Sequence, residues 1–254
     1  MNASSFTDLA DLLSAAYNGN STTSLPTTLE PANMDSAYEV QQRFLTKCKV
    51  ATGGWKIGAK SDTGPIQGAP LPLPRIYAGG ASIARGDYPV LGIELELIFS
   101  FNRDFLPQPE PISERQVLES VGTFGAAIEI VSSRIAGWPE TPKLMQLADL
   151  QNHGALVIGE MVEYRGDFSY IFINPMVDLR INGVPLFNGI GRNPAGDPRR
   201  LLCWLVNHCR EKGLALPAGS IITTGSYTGM EFPADAGTVT GKITGLPAVT
   251  FELT

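Results

Sequence analysis

The chain is short of cysteine, short of histidine and short of positive charge. Its three cysteines, Cys48, Cys203 and Cys209, are too few and odd in number for a disulfide framework, and they point to a reducing compartment. Cys203, His208 and Cys209 form a C-x4-H-C arrangement, which lacks zinc-finger spacing and reads as ordinary helix. With 25 acidic residues against 19 lysines and arginines, the net charge is −6. No basic stripe is present, so nucleic acid is not an expected partner. No apolar run reaches transmembrane length, and Met1 to Phe6 carries no basic segment ahead of an apolar core. A cytoplasmic protein without membrane contact is expected. There is no internal repeat and no low-complexity tract.

What is present is a well-patterned globular sequence. Leu9, Leu12, Leu13 and Ala16 recur at helical spacing, with Ser5 or Thr7 able to cap the start and Gly19 the end. Met34 to Val50 reads as a second helix, with Tyr38, Val40, Phe44 and Leu45 as core candidates and Asn33 or Asp35 as its cap. Between Gly53 and Arg85, glycines and prolines crowd together, as in Ala69-Pro70-Leu71-Pro72-Leu73-Pro74. That composition predicts an ordered active-site loop or lid, apart from a short strand around Lys56.

From Tyr88 onward the pattern turns to strands, expected at 88–102, 123–134, 155–162, 176–181, 220–224, 238–244 and 248–253. Ser113-Glu114-Arg115-Gln116 has the form of a capping box ahead of a short helix. Asp197-Pro198 supplies an N-cap and first-turn proline for a helix over 199–212 that Gly213 closes. Helices and strands are segregated, so the fold class is α+β. We divide the chain into a helical N-terminal region with the start of the loop, 1–75, and a β-rich catalytic body, 76–254.

Three glutamates carry the chemistry. Glu94-Leu95-Glu96 and Ala127-Ile128-Glu129-Ile130-Val131 place carboxylates inside apolar, β-prone runs, where an ionised acid is costly unless compensated. On a strand, Glu94 and Glu96 share one face, roughly 7 Å apart, and Ile93, Leu95 and Leu97 take the other. Converging acids repel and raise one another's pKa. A hard divalent cation with oxygen ligands, Mg²⁺ or Mn²⁺, is the simplest compensation. Lys56, in Gly54-Trp55-Lys56-Ile57-Gly58, is a candidate to neutralise an anionic substrate or move a proton. Arg134 ends the Glu129 strand and is suited to a carboxylate or to a neighbouring acid. Asp149 and His153 flank a polar turn, and the titration range of His153 suits proton transfer. Thr224-Gly225-Ser226 ends a strand in a hydroxyl-rich turn that can offer donors to an anion.

Together these segments resemble the fumarylacetoacetate hydrolase superfamily, and within it the 2-oxo-4-pentenoate hydratase and 4-oxalocrotonate decarboxylase branch. The resemblance implies a mixed, highly curved β-roll with peripheral helices. It implies Glu94, Glu96 and Glu129 as ligands of Mg²⁺ or Mn²⁺, Lys56 near the substrate, and a homo-oligomer. The substrate implied is a small 2-oxo or 2-hydroxydienoic acid, chelated through its carboxylate and 2-oxygen. Lys56 or His153, with Asp149 beside it, would handle the proton. Arg134, Asn152, Thr224 and Ser226 would hold the substrate.

Three segments depart from the branch. Asp149-Leu150-Gln151-Asn152 stands where relatives carry D-N-A-S, and Lys60-Ser61 replaces a Thr-Ser or Thr-Asn pair. Gly68-Ala69-Pro70-Leu71-Pro72 replaces an acidic Asp-x-Gly segment. The metal site is thus retained while the substrate pocket is altered. Hydration and decarboxylation share a dienolate-type intermediate and are not separated by sequence. The alternatives are acylpyruvate-type C–C hydrolysis, whose His-Glu lid pair has no counterpart upstream of the glutamates, and a binding relative without turnover.

Overall fold

The computed structural model describes residues 3–166 and 170–254. Two helices come first. α1 (Ala3–Asn18) and α2 (Met34–Cys48) share a core containing the fully buried Leu9, Leu13, Val40 and Phe44. Asn33 is the cap of α2, accepting the Ser36 amide at 2.9 Å. Asp35 instead receives Lys212 at 2.6 Å.

The chain enters sheet earlier than its composition suggests. The expected loop over Gly53–Arg85 is largely extended: β1 (Thr52–Ala59), β2 (Ile66–Pro72), β3 (Ile76–Ala78) and β4 (Ser82–Ile83). Pro70 and Pro72 fit because β2 is an outermost strand, with no second neighbour needing their missing amides. The irregular stretch shrinks to residues 60–65.

Next come β5 (Gly92–Phe101), α3 (Glu114–Leu118) with its capping box formed, β6 (Val121–Val131), a short α4 (Lys143–Ala148) and β7 (His153–Glu163). β8 (Met176–Ile181), β9 (Val184–Ile190), α5 (Arg199–Glu211), β10 (Ile221–Ser226), β11 (Gly237–Ile243) and β12 (Val249–Leu253) follow. α5 begins at Arg199, as expected, and ends one residue earlier than expected, at Glu211. Asp197 lies just outside it, accepting the Arg199 amide at 3.0 Å, and Pro198 occupies the cap position.

These strands build two mixed sheets, in the order β2-β1-β10-β5-β6-β7-β3 and β4-β12-β11-β8-β9. The result is the α+β architecture expected, with a curled sheet and few helices. β1 runs parallel to β10, and β5 lies antiparallel between β10 and β6. Ile93, Leu95, Leu97 and Phe99 on one face of β5 join Ile128 and Ile130 of β6, and Val239, Ile243 and Phe251 of the second sheet, in one core. The sheets approach closely at Gly241, where a Cβ would stand 2.6 Å from Leu95 Cδ1. Alternation then sends Glu94, Glu96 and Glu129 to the opposite face, as their spacing predicts. Among the described residues, no helix is long and apolar enough to cross a membrane.

Candidate metal centre

Strand register brings the three acids together. Glu94 and Glu129 are direct partners across β5 and β6, and one carboxylate oxygen from each of Glu94, Glu96 and Glu129 lies within 4.8 Å of the others. Glu129 is fully buried and Glu96 nearly so, while Glu94 is half-buried.

Two neighbouring strands supply compensation. Lys56 of β1 pairs in register with Thr223 of β10, and its Nζ lies 2.6 Å from Glu129 Oε1 and 3.2 Å from the Gln151 carbonyl. Glu96 Oε2 accepts both the Thr223 hydroxyl and the Gly225 amide, the latter at 2.9 Å. The register of β10 on β5 slips between Thr223 and Ser226. Gly225, at φ 91°, allows the irregular backbone that turns its amide inward.

His153 completes the group. Its Nδ1 lies 2.9 Å from Glu129 Oε1. Burial, outweighing the Glu129 hydrogen bond, lowers the His153 pKa. The neutral ring therefore donates Nδ1–H to the carboxylate. Oε1 of Glu129 is occupied by two donors, whereas Oε2 is buried without a partner. His153 Nε2 and Asn152 Oδ1 are likewise unsatisfied. Buried polar atoms are normally paired, so the two orphans on Glu129 and on its partner His153 indicate room for a ligand.

The charges agree. Burial opposes the charge on Lys56, but the three glutamates overcome it and raise its pKa. Burial would also raise Glu129, yet Lys56 and His153 hold it below the ordinary value. Glu94 is pushed up to about 7 by burial and then by the charge of Glu129, against Lys56. Glu96 reaches about 8 through burial and the charges of Glu129 and Glu94, partly offset by Lys56 and Thr223. One ammonium thus satisfies one of three acids. An all-oxygen donor set with surplus negative charge fits a hard divalent cation.

A pH dependence follows with a definite sign. Glu94 and Glu96 have folded pKa values above their unfolded ones, so the metal-free fold holds extra protons and loses stability as pH rises through about 7 and about 8. His153 and His208 act in the opposite sense, but only below the ordinary histidine value of roughly 6.5. We expect the melting temperature in chelator to fall between pH 6.5 and 8.5, and Mg²⁺ affinity to rise about tenfold per unit for each displaced proton. A flat metal-free profile across that window would contradict the assignment.

The remaining candidates are placed differently. Arg134 and Asp149 do not face the glutamates but form a buried pair with each other. Arg134 Nε donates to Asp149 Oδ1, the Arg134 amide and Ser133 hydroxyl donate to Oδ2 at 2.9 and 3.1 Å, and the guanidinium also reaches the carbonyls of Asp149 and His153. With those groups saturated, the expected catalytic role of Asp149 and substrate contact of Arg134 give way to holding the turn that carries His153. In that turn Leu150, Gln151 and Asn152 all adopt left-handed φ, between 50° and 59°. Thr224 is buried, and its hydroxyl is committed to the Leu97 carbonyl at 2.9 Å. Ser226 pairs in register with Glu96 and remains half-buried, its hydroxyl donating to the Gly229 carbonyl. Sequence reasoning missed Thr223, Gly225 and the Gln151 carbonyl. Choosing Thr223 over Thr224 requires the register of β1 on β10, which no local pattern contains.

Residues 62–254 match the family model of the fumarylacetoacetate hydrolase C-terminal domain, and the chain belongs to that family. Among curated relatives, a 2-keto-4-pentenoate hydratase of Paraburkholderia xenovorans is 27% identical over 228 residues, covering 85% of this chain and 82% of its own. The TodF product hydratase of Pseudomonas putida is 26% identical over 252 residues, covering 95% and 92%. In fold, the chain is similar to 4-oxalocrotonate decarboxylase from Pseudomonas putida, solved with magnesium and adipate. That likeness has a TM-score of 0.86 at 19% identity, covering 100% of this chain and 99% of that one.

Proposed function

We propose that this protein is a divalent-metal-dependent lyase acting on a small 2-oxo or 2-hydroxydienoic acid, with hydratase-type chemistry. The observation that carries the reading is Glu129, which keeps one oxygen tied to Lys56 and His153 and the other open among three converging carboxylates. The curated relatives across most of the chain are named as hydratases, which supports it. Decarboxylation is the second reading, favoured by the full-length fold match to a decarboxylase.

Glu94, Glu96 and Glu129 would hold Mg²⁺ or Mn²⁺; related folds are solved with magnesium, calcium and manganese. The bound ion supplies a Lewis acid and a template for an oxo acid. The residues of the chain do the rest. Lys56, kept as an ammonium by the surrounding carboxylates, attracts the substrate carboxylate and can release a proton to carbon. His153, with Nδ1–H committed to Glu129, keeps Nε2 as a lone-pair nitrogen able to accept a proton. Ser226, in register with Glu96, would contact the substrate, as would the unpaired side-chain oxygen of Asn152. Burial of the cluster excludes water except where the reaction needs it.

Incubation with 2-hydroxydienoates and with acylpyruvates, each with and without Mg²⁺, tests the assignment. The expected result is Mg²⁺-dependent consumption of the dienoate. Faster release of pyruvate from acylpyruvates would make the protein a hydrolase instead. Neither histidine precedes the glutamates, so the upstream His-Glu pair of such hydrolases has no counterpart here. The proposal includes a cytoplasmic location, consistent with three free thiols, and a homo-oligomer. A sedimentation mass equal to one chain would remove the last element.

A further inference from the structure

Beside the carboxylate cluster lies a cleft of about 400 Å³ lined by Gly58, Ala59, Lys60, Pro65, Gln67 and Gln151. Its place is set by β1. Lys56 and Gly58 alternate with the buried Trp55 and Ile57, which puts both on the face that Lys56 turns to Glu129, and Lys60 follows just past the strand end in the cleft lining. Gln67 is the cross-strand partner of Gly58 and lies on the same side. Gln151 joins the cleft to the centre, because its carbonyl accepts Lys56 Nζ at 3.2 Å.

Two features give this cleft a selective chemistry. Gly58 leaves its floor open: a Cβ there would meet no atom within 4 Å. Lys60, just past the strand end, is exposed and has no acid within ion-pair distance among the described residues. Four residues of extended chain put its Cα roughly 13 Å from that of Lys56, with the long lysine arm able to lean back along the cleft. The adjoining loop carries Asp62, and Arg200 of α5 reaches the same loop, its guanidinium donating to the Ser61 carbonyl at 2.8 Å. Gln151, the opposite wall, has left-handed φ and ψ of 52° and 39°. Non-glycine residues persist in such conformations where the surrounding structure holds them, often around ligand sites.

We propose that Lys60 is a specificity residue for the far end of the substrate, and that this chain prefers 2-oxo acids bearing a second, distal carboxylate over those ending in a methyl group. The proposal rests on the metal-dependent oxo-acid reading above. It adds to it the substrate class and the residue that selects it.

Calorimetric titration of the Mg²⁺-loaded protein with 2-oxoadipate and with 2-oxohexanoate, matched in chain length, isolates the distal group. The expected result is about fivefold tighter binding of 2-oxoadipate, the scale of one partly exposed ion pair, shrinking at high salt. Lys60→Met is expected to abolish the difference and Lys60→Glu to reverse it. Gly58→Val, which fills the floor, is expected to weaken both ligands while the melting temperature holds. Equal Mg²⁺-dependent affinities in the wild type, a preference surviving Lys60→Met, or unchanged binding in Gly58→Val would each overturn the cleft assignment and leave the metal centre standing. No Mg²⁺-dependent binding of either ligand would overturn the underlying reading and this one with it.

Discussion

Glu129→Gln is expected to lower kcat/KM by about 10³-fold and to erase the rise in melting temperature that Mg²⁺ confers. The substitution keeps the volume of the side chain and removes its charge. Three consequences coincide there. The site loses the carboxylate that Lys56 and His153 hold ionised, leaving Glu94 and Glu96, which are pushed up to about 7 and about 8. Lys56 loses its 2.6 Å partner, and His153 loses the strong acceptor that fixes its tautomer. A preorganised charge-stabilising group in a dry site contributes about 10²–10³ in rate, and disrupted outer partners add about 10–100-fold in metal affinity or activity. The fold itself is expected to survive, because Glu94 and Glu96 remain to receive the Lys56 charge. Mg²⁺-induced stabilisation measured calorimetrically, alongside turnover, gives the answer. Wild-type metal stabilisation in this variant would remove Glu129 from the ligand set.

Arg134→Met is expected to give the largest loss of stability, about 3–5 kcal/mol, the usual cost of breaking a buried ion pair from one side. For a domain of this size that corresponds to roughly 6–20 °C in melting temperature. Asp149 is fully buried and Arg134 nearly so, and the guanidinium also satisfies two backbone carbonyls at 2.7 Å. Burial already raises the Asp149 pKa in spite of Arg134. Without the arginine, protonation becomes the way to relieve the stranded charge, so the loss is expected to be smaller at pH 5 than at pH 8. Arg134→Met with Asp149→Leu should recover much of it, because removing both partners leaves no uncompensated charge. A double variant as unstable as the single one would show that the carbonyl contacts, not the ion pair, dominate.

Much of this was legible in advance, for reasons that differ by element. β8, β11 and β12 each alternate against a buried face, so period and register point to the same assignment, while β5 and β6, buried along most of their length, read as long apolar runs. The glutamates stood out because their neighbours are β-branched or aliphatic, leaving a carboxylate with no innocuous place. β2 has the composition of a loop because proline weakens a strand by an amount that depends on whether the strand has one neighbour or two. β9, exposed along much of its length, has no alternation to read. The pairing of Arg134 with Asp149 joins a strand end to the far side of α4. Their residue types allowed it, but only the folded turn shows that each is consumed by the other.

The parallel pairing of β1 with β10 also sets the order in which the centre can form. Glu94 and Glu129 come from strands that neighbour one another in the chain as well as in the sheet, and such contacts close early. Lys56 and Thr223, which offset the acids, belong to segments near opposite ends and meet only when the whole sheet has zipped up. A folding chain therefore gathers its repelling carboxylates before their counter-charge arrives.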